Sequence, residues 1–92
     1  MALEVILAPA AARDLDALPA VRREQVLGDL QGFAAKPVAV PPRLKQLRGF
    51  KPPLFRLRSG DYRVLFRTVE ATLHVYRVVD RKELERALSR IR

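Results

Sequence analysis

Apolar and polar positions change period several times along this chain. Leu3 to Ala8 ("LEVILA") is a short apolar run that reads as a first strand. Pro9 suits the opening of a helix, where a missing N–H costs little. "AAARDLDAL" then runs to Pro19 with Ala11, Leu15 and Leu18 on one face. A second helix is predicted from Ala20 to Ala35. Val26, Leu27, Leu30 and Phe33 form its apolar stripe, and Arg22, Arg23, Glu24 and Asp29 lie elsewhere. Two antiparallel helices joined at Pro19 follow from this pattern.

"KPVAVPPR" interrupts both periods, and its three prolines in six residues predict an extended, stiff crossover. "RLKQLRGFK" reads either as a solvated basic loop or as an edge that touches phosphates. From Leu54 the period becomes two: "LFRLRSGDYRVLFR" places apolar residues at every second position. A two-residue turn at Ser59-Gly60 would set Arg58 against Asp61, Arg56 against Arg63 and Leu54 against Leu65. The opposite face would carry Phe55 against Val64 and Leu57 against Tyr62. With Phe66, these residues are expected to pack on Leu15, Leu18, Val26, Leu30 and Phe33. "LHVYRVV" is the next strand. A three-residue loop, Glu70 to Thr72, would place Arg77 beside the arginines and His74, Tyr76 and Val78 in the core. A two-residue loop would instead bury Arg77, at considerable cost. "DRKELERALSRIR" closes as a helix, with Asp80 as N-cap, Glu83 three residues on as in a capping box, and Leu84, Leu88 and Ile91 as a narrow stripe. The predicted class is α+β, one domain over residues 1–92, a small antiparallel sheet packed by an N-terminal helical hairpin in the order β-α-α-β-β-β-α.

Composition narrows the function. Eighteen Lys and Arg face ten Asp and Glu, a net charge of +8, which favours polyanionic or acidic partners. Fourteen of the eighteen cations are arginine, suited to bidentate phosphate contacts, although a GC-rich genome produces the same bias. There is no cysteine and one histidine, so neither a disulfide framework nor a structural zinc site is expected, and no metal is assigned. His74 reads as a core or strand-edge histidine. The N-terminus has no basic leader and too short an apolar run for a signal or membrane segment, so a cytoplasmic protein without a membrane partner is expected.

The unusual feature is the polar face of the hairpin. Like charges opposed across strands destabilise a sheet. Either Arg56 and Arg63 splay into water or toward Asp61, Glu83 or Glu85, or an anion sits between them. Arg77 joins this face by parity. Arg81 shares the parity and begins the last helix, where free N–H groups also favour anions.

These residues resemble a family. "LKQLRG", "LFRLRSGDYRVLFR" and "RVVDRKELER" are similar to the RelE/ParE superfamily of toxins from bacterial and archaeal type II toxin–antitoxin modules, most densely from Leu44 to Arg86. The resemblance implies a cytoplasmic toxin held in a hetero-oligomer by an acidic antitoxin. Its RelE branch, which the look of the hairpin favours, implies ribosome-dependent, metal-independent cleavage of mRNA. The ParE branch implies inhibition of DNA gyrase, and a catalytically weakened RNA-binding relative is a third reading. In the RelE case the ribose 2′-OH attacks the adjacent phosphate, basic side chains stabilise the developing charge, and no cofactor is required.

The resemblance makes Arg56, Arg63 and Arg81 the phosphate-clamping candidates. Glu85 is either a base or a helix-surface partner of Arg81. The RNA-binding candidates are Arg43, Lys45, Arg48, Lys51, Arg58, Arg67 and Arg77. The chain departs from the family at Leu54, where many relatives are basic, at Asp80, often histidine or lysine, and at Glu85, often tyrosine.

Overall fold

The computed structural model describes residues 2–38 and 43–91. Helix α1 (Pro9–Asp16) follows strand β1 (Glu4–Leu7), with Pro9 in its first turn. Helix α2 (Ala20–Ala35) comes next. Arg23, in its first turn, donates to the carbonyls of Leu15 (3.0 Å), Asp16 (3.3 Å) and Leu18 (3.1 Å). The carbonyls of Leu15 and Asp16 at the end of α1, which have no partner within the helix, and that of Leu18 just beyond it gain a donor in this way. Part of the proline-rich crossover, residues 39–42, lies outside the described residues.

The expected basic loop contains a strand, β2 (Leu44–Leu47). Strands β3 (Leu54–Ser59), β4 (Tyr62–Val69) and β5 (Thr72–Asp80) follow, then a single 3-10 turn (Arg81–Glu83) and helix α3 (Leu84–Ile91). Among the described residues, no helix is long and apolar enough to cross a membrane. The α+β class stands. The sheet has five strands in the order β1-β5-β4-β3-β2, all neighbours antiparallel except β1 and β5.

Period-two alternation and the helical stripes meet where the sequence placed them. Leu15, Val26, Leu30, Leu57, Val64 and Phe66 are buried in one cluster, with Leu18, Phe33, Phe55 and Tyr62 packed against it. The Phe66 ring contacts Phe33 and Phe55 at centroid distances of 5.5 and 5.7 Å.

Two registers differ from expectation. The first turn is Gly60-Asp61, with Gly60 at φ +58°, a conformation glycine adopts without steric cost. Arg58 therefore opposes Arg63, Arg56 opposes Leu65 and Leu57 opposes Val64. Each residue stays on its expected face, because moving the turn by one residue shifts both strands together. Only the direct partners change, so Arg56 opposite Arg63 and Leu54 opposite Leu65 are both corrected.

The second turn has two residues, Glu70-Ala71, since Val69 pairs with Thr72. Glu70 takes φ +56°, a rare conformation for a residue with a Cβ. The pairing runs as far as Phe66 against Val75. A bulge at Tyr76 then sets Leu65 against Arg77 and Val64 against Val78. Beyond the bulge the register is the one a three-residue loop would have produced, so Val78 enters the helix-side core. Before it the parity is reversed, and Leu73 and Val75 are in that core instead of His74 and Tyr76.

The other face of the sheet is also covered. Phe50, Leu54, Leu65, Val79, Ala87 and Leu88 form a second buried cluster beneath α3, flanked by Leu47, Tyr76, Leu84 and Ile91. The narrow stripe of the last helix is enough to close this half of the outer face.

Candidate functional site

α3 leaves uncovered the outer face of β3 and β4 near the Gly60-Asp61 turn, where the arginines gather. Arg58 and Arg63 are cross-strand neighbours. Arg56 is next along that face, with Lys45 opposite it on β2. Arg81 begins the 3-10 turn, and its backbone N–H donates to the carbonyl of Asp61 at 2.9 Å. This bond fastens the end of β5 to the tip of the β3–β4 hairpin. Three sequence-distant segments thus deliver cations to one place.

Electrostatics record the convergence. Burial pushes the pKa of Arg63 down, and the charges of Arg56, Arg58 and Arg81 push it further, against a partial rise from Asp61. The Arg63 Nη1 group donates to the carbonyls of Gly60 and Tyr62, each at 3.0 Å, so its guanidinium is held against the turn. Among the described residues, the ion pairs are Arg43–Asp29, Arg77–Asp14 and Arg86–Glu83, and none involves Arg56, Arg58, Arg63 or Arg81. The charges of Arg56, Arg58 and Arg81 thus bear on Arg63, and among the described residues none of the four is paired with a carboxylate.

Other candidates lie apart from this cluster. Arg77 does not join the arginine face. Its Nε and Nη2 donate to Asp14 of α1 at 2.7 and 3.2 Å, and this hydrogen-bonded pair raises its pKa. Asp14 also accepts the backbone N–H of Val78 at 2.9 Å. The carboxylate thus resolves the cost of an arginine beside the core, and nothing local in the sequence marked it for this. Arg43 binds Asp29 of α2 at 3.1 Å, and Asp29 accepts the hydroxyl of buried Ser59 at 2.6 Å. Arg67 donates to the carbonyl of Pro52 at 3.0 Å and lies 5.4 Å from the centre of the Tyr76 ring. Arg48 and Lys51 are exposed in the segment between β2 and β3.

Asp80 is the expected N-cap: its carboxylate accepts the N–H of Lys82 at 2.9 Å. Glu83 pairs with Arg86 at 3.4 Å. Glu85 is exposed in the first turn of α3 and makes no ion pair with Arg81 among the described residues.

Fold and site define a small basic α+β protein with an arginine-bearing sheet face, and comparison with known proteins places it. The family model described as the ParE toxin of type II toxin–antitoxin systems, parDE, matches residues 5–85. The chain belongs to this family, within the RelE/ParE superfamily of toxins.

Solved structures agree on the fold. A chain of the RelBE2 toxin–antitoxin complex from Mycobacterium tuberculosis is 26% identical, with a TM-score of 0.73 over 87% of this chain and 99% of that one. A chain of the archaeal RelE–RelB complex from Pyrococcus horikoshii OT3 is 24% identical, with a TM-score of 0.70 over 88% and 97%. A chain of the RelB–RelE complex from Methanococcus jannaschii is 19% identical, with a TM-score of 0.68 over 89% and 96%. No curated protein matches the chain.

Proposed function

We propose that this toxin inhibits translation as a ribosome-dependent, metal-independent mRNA endonuclease, acting in the cytoplasm and neutralised there by an acidic antitoxin in a hetero-oligomer. The observation that carries the proposal is the convergence of Arg56, Arg58, Arg63 and Arg81 without a paired acid. A pentavalent phosphate carries more charge than the ground-state diester. Fixed guanidinium groups around it therefore favour the transition state over the bound substrate. Arg63 is held to the turn and Arg81 is tied to it through Asp61, so both are oriented before substrate arrives. Arg56 and Arg58 complete the clamp. Lys45 beside Arg56 extends it along the RNA backbone, with Arg48 and Lys51 as outlying contacts.

Among the described residues, Asp61 is the one carboxylate whose charge acts on Arg63, and no acid–base pair accompanies the arginines. Asp80 is engaged as a cap, and Glu85 is the remaining carboxylate near the start of α3. The chain itself therefore supplies charge stabilisation, while the ribosome orients the 2′-OH for attack.

A second reading, inhibition of DNA gyrase, is favoured by the family model, which describes ParE toxins, and by the same lack of an acid–base pair. One experiment separates the two. The toxin is induced, mRNA 5′ ends are mapped in translated frames, and gyrase supercoiling is assayed in parallel. Under the RNA reading, cleavage accompanies growth arrest. Arg63→Ala and Arg81→Ala each lower cleavage by on the order of 10²–10³, the usual loss when one such donor is removed, while Arg86→Ala has little effect. Growth arrest with intact mRNA and blocked supercoiling would replace this reading with the gyrase one.

A further inference from the structure

Strand β5 leads directly into Arg81, and where the strand ends depends on the bulge. Before the bulge, Phe66 pairs with Val75. Continued unbroken, that register would set Arg63 against Val78 and Tyr62 against Val79. The bulge at Tyr76 shifts β5 by one residue, so Arg63 meets Val79 and Tyr62 meets Asp80. Arg81 then arrives level with Asp61 and bonds to it. A one-residue slip reverses the face of every following side chain, so a lost bulge would expel Val78 from the core and carry Arg81 away from Arg63.

The clasp that holds this register comes from α1. Strand β1 pairs with β5 as far as Val75, and past that point Asp14 takes over. Its carboxylate accepts two guanidinium N–H groups of Arg77 and the backbone N–H of Val78. These are the two residues immediately after the bulge, held by three hydrogen bonds to one helix side chain. A bidentate arginine–carboxylate pair fixes orientation as well as position.

We infer that Asp14 is a positioning residue of the arginine cluster: by pinning Arg77 and Val78 just past the bulge, it sets where Arg81 emerges beside Arg63. Its consequence for activity rests on the RNA reading above. Its consequence for structure does not.

The test is site-resolved amide hydrogen exchange on the full chain, together with binding of a short oligouridylate. In Asp14→Asn, the Arg81 amide exchanges at least tenfold faster relative to the Thr72–Val75 segment, and oligouridylate binding weakens several-fold. Arg77→Lys keeps the charge but not the two-pronged geometry. It shows the same selective loss and provides the measurement should Asp14→Asn fail to fold. Uniform acceleration along all of β5 would make Asp14 an ordinary stability residue and overturn the proposal, as would unchanged exchange at Arg81. Selective release of Arg81 in a variant of a toxin that leaves mRNA intact would retain the positioning role and remove the RNA reading alone.

Discussion

Arg58 and Arg63 face each other directly across two strands, where opposite charges or apolar pairs would be more stable. Under the proposed RNA reading, this arrangement sets stability against function at a single residue. Replacing Arg58 by alanine is expected to raise stability by about 0.2–1 kcal/mol at low salt, because a directly opposed like-charge pair is removed. The gain should vanish in about 1 M salt, where the screening length falls to roughly 3 Å. Toxicity should fall at the same time. Urea denaturation at two salt concentrations, paired with a growth assay, checks both halves. A substitution that destabilised the protein at low salt would show that Arg58 contributes by packing rather than opposing its neighbour.

Helix α3 has only eight residues and presents Ala87 and Leu88 to the outer face of the sheet. So short a helix has little stability of its own, and packing must hold it in place. Leu88→Ala should cost about 2–5 kcal/mol, the range for removing a buried leucine side chain. The loss should fall on the outer cluster of Phe50, Leu54, Leu65 and Val79, while the helix-side cluster around Phe66 persists. Thermal unfolding gives the size of the loss, and side-chain NMR shows which cluster loosens. Equal loosening of both clusters would indicate that the two faces of the sheet act as one core.

Across the whole molecule, a net charge of +8 favours polyanions in general, whereas the proposed site confines binding to the four-arginine cluster. The salt dependence of binding separates these contributions. For single-stranded RNA, log K falls with log salt by about 0.7 per phosphate neutralised. Four engaged arginines would give a slope near −3, or roughly a 50-fold loss between 50 and 200 mM salt. Arg63→Ala should flatten the slope by about 0.7, and Arg90→Ala, on α3 and outside the cluster, should leave it unchanged. Fluorescence anisotropy with a labelled oligouridylate measures all three. Equal effects of the two substitutions would show binding to be diffuse.

Period and punctuation along the chain determine the α+β class, both N-terminal helices, the hairpin, and the assignment of Leu57, Val64 and Phe66 to one face and Arg56, Arg58 and Arg63 to the other. Each follows from local rules: helical spacing, strand alternation, and the turn-forming character of Ser59-Gly60-Asp61. Asp80 as a cap is equally local. Direct cross-strand partners are not. A turn placed one residue later keeps every face and changes every pair, so only the folded hairpin fixes Arg58 against Arg63. The bulge at Tyr76 lies further from local reading, because its support comes from Asp14, sixty-three residues before Arg77. The second core is hidden for a similar reason. Leu54 and Leu65 alternate with arginines on the polar-looking face, and only α3 folding back covers them. Tertiary structure alone therefore divides the basic residues, pairing Arg77 with Asp14 and Arg43 with Asp29 while leaving Arg56, Arg58 and Arg81 to act on Arg63. Alternation fixes the side of a sheet on which a charge lies, but its partner is chosen by which distant carboxylate the fold brings within hydrogen-bonding reach.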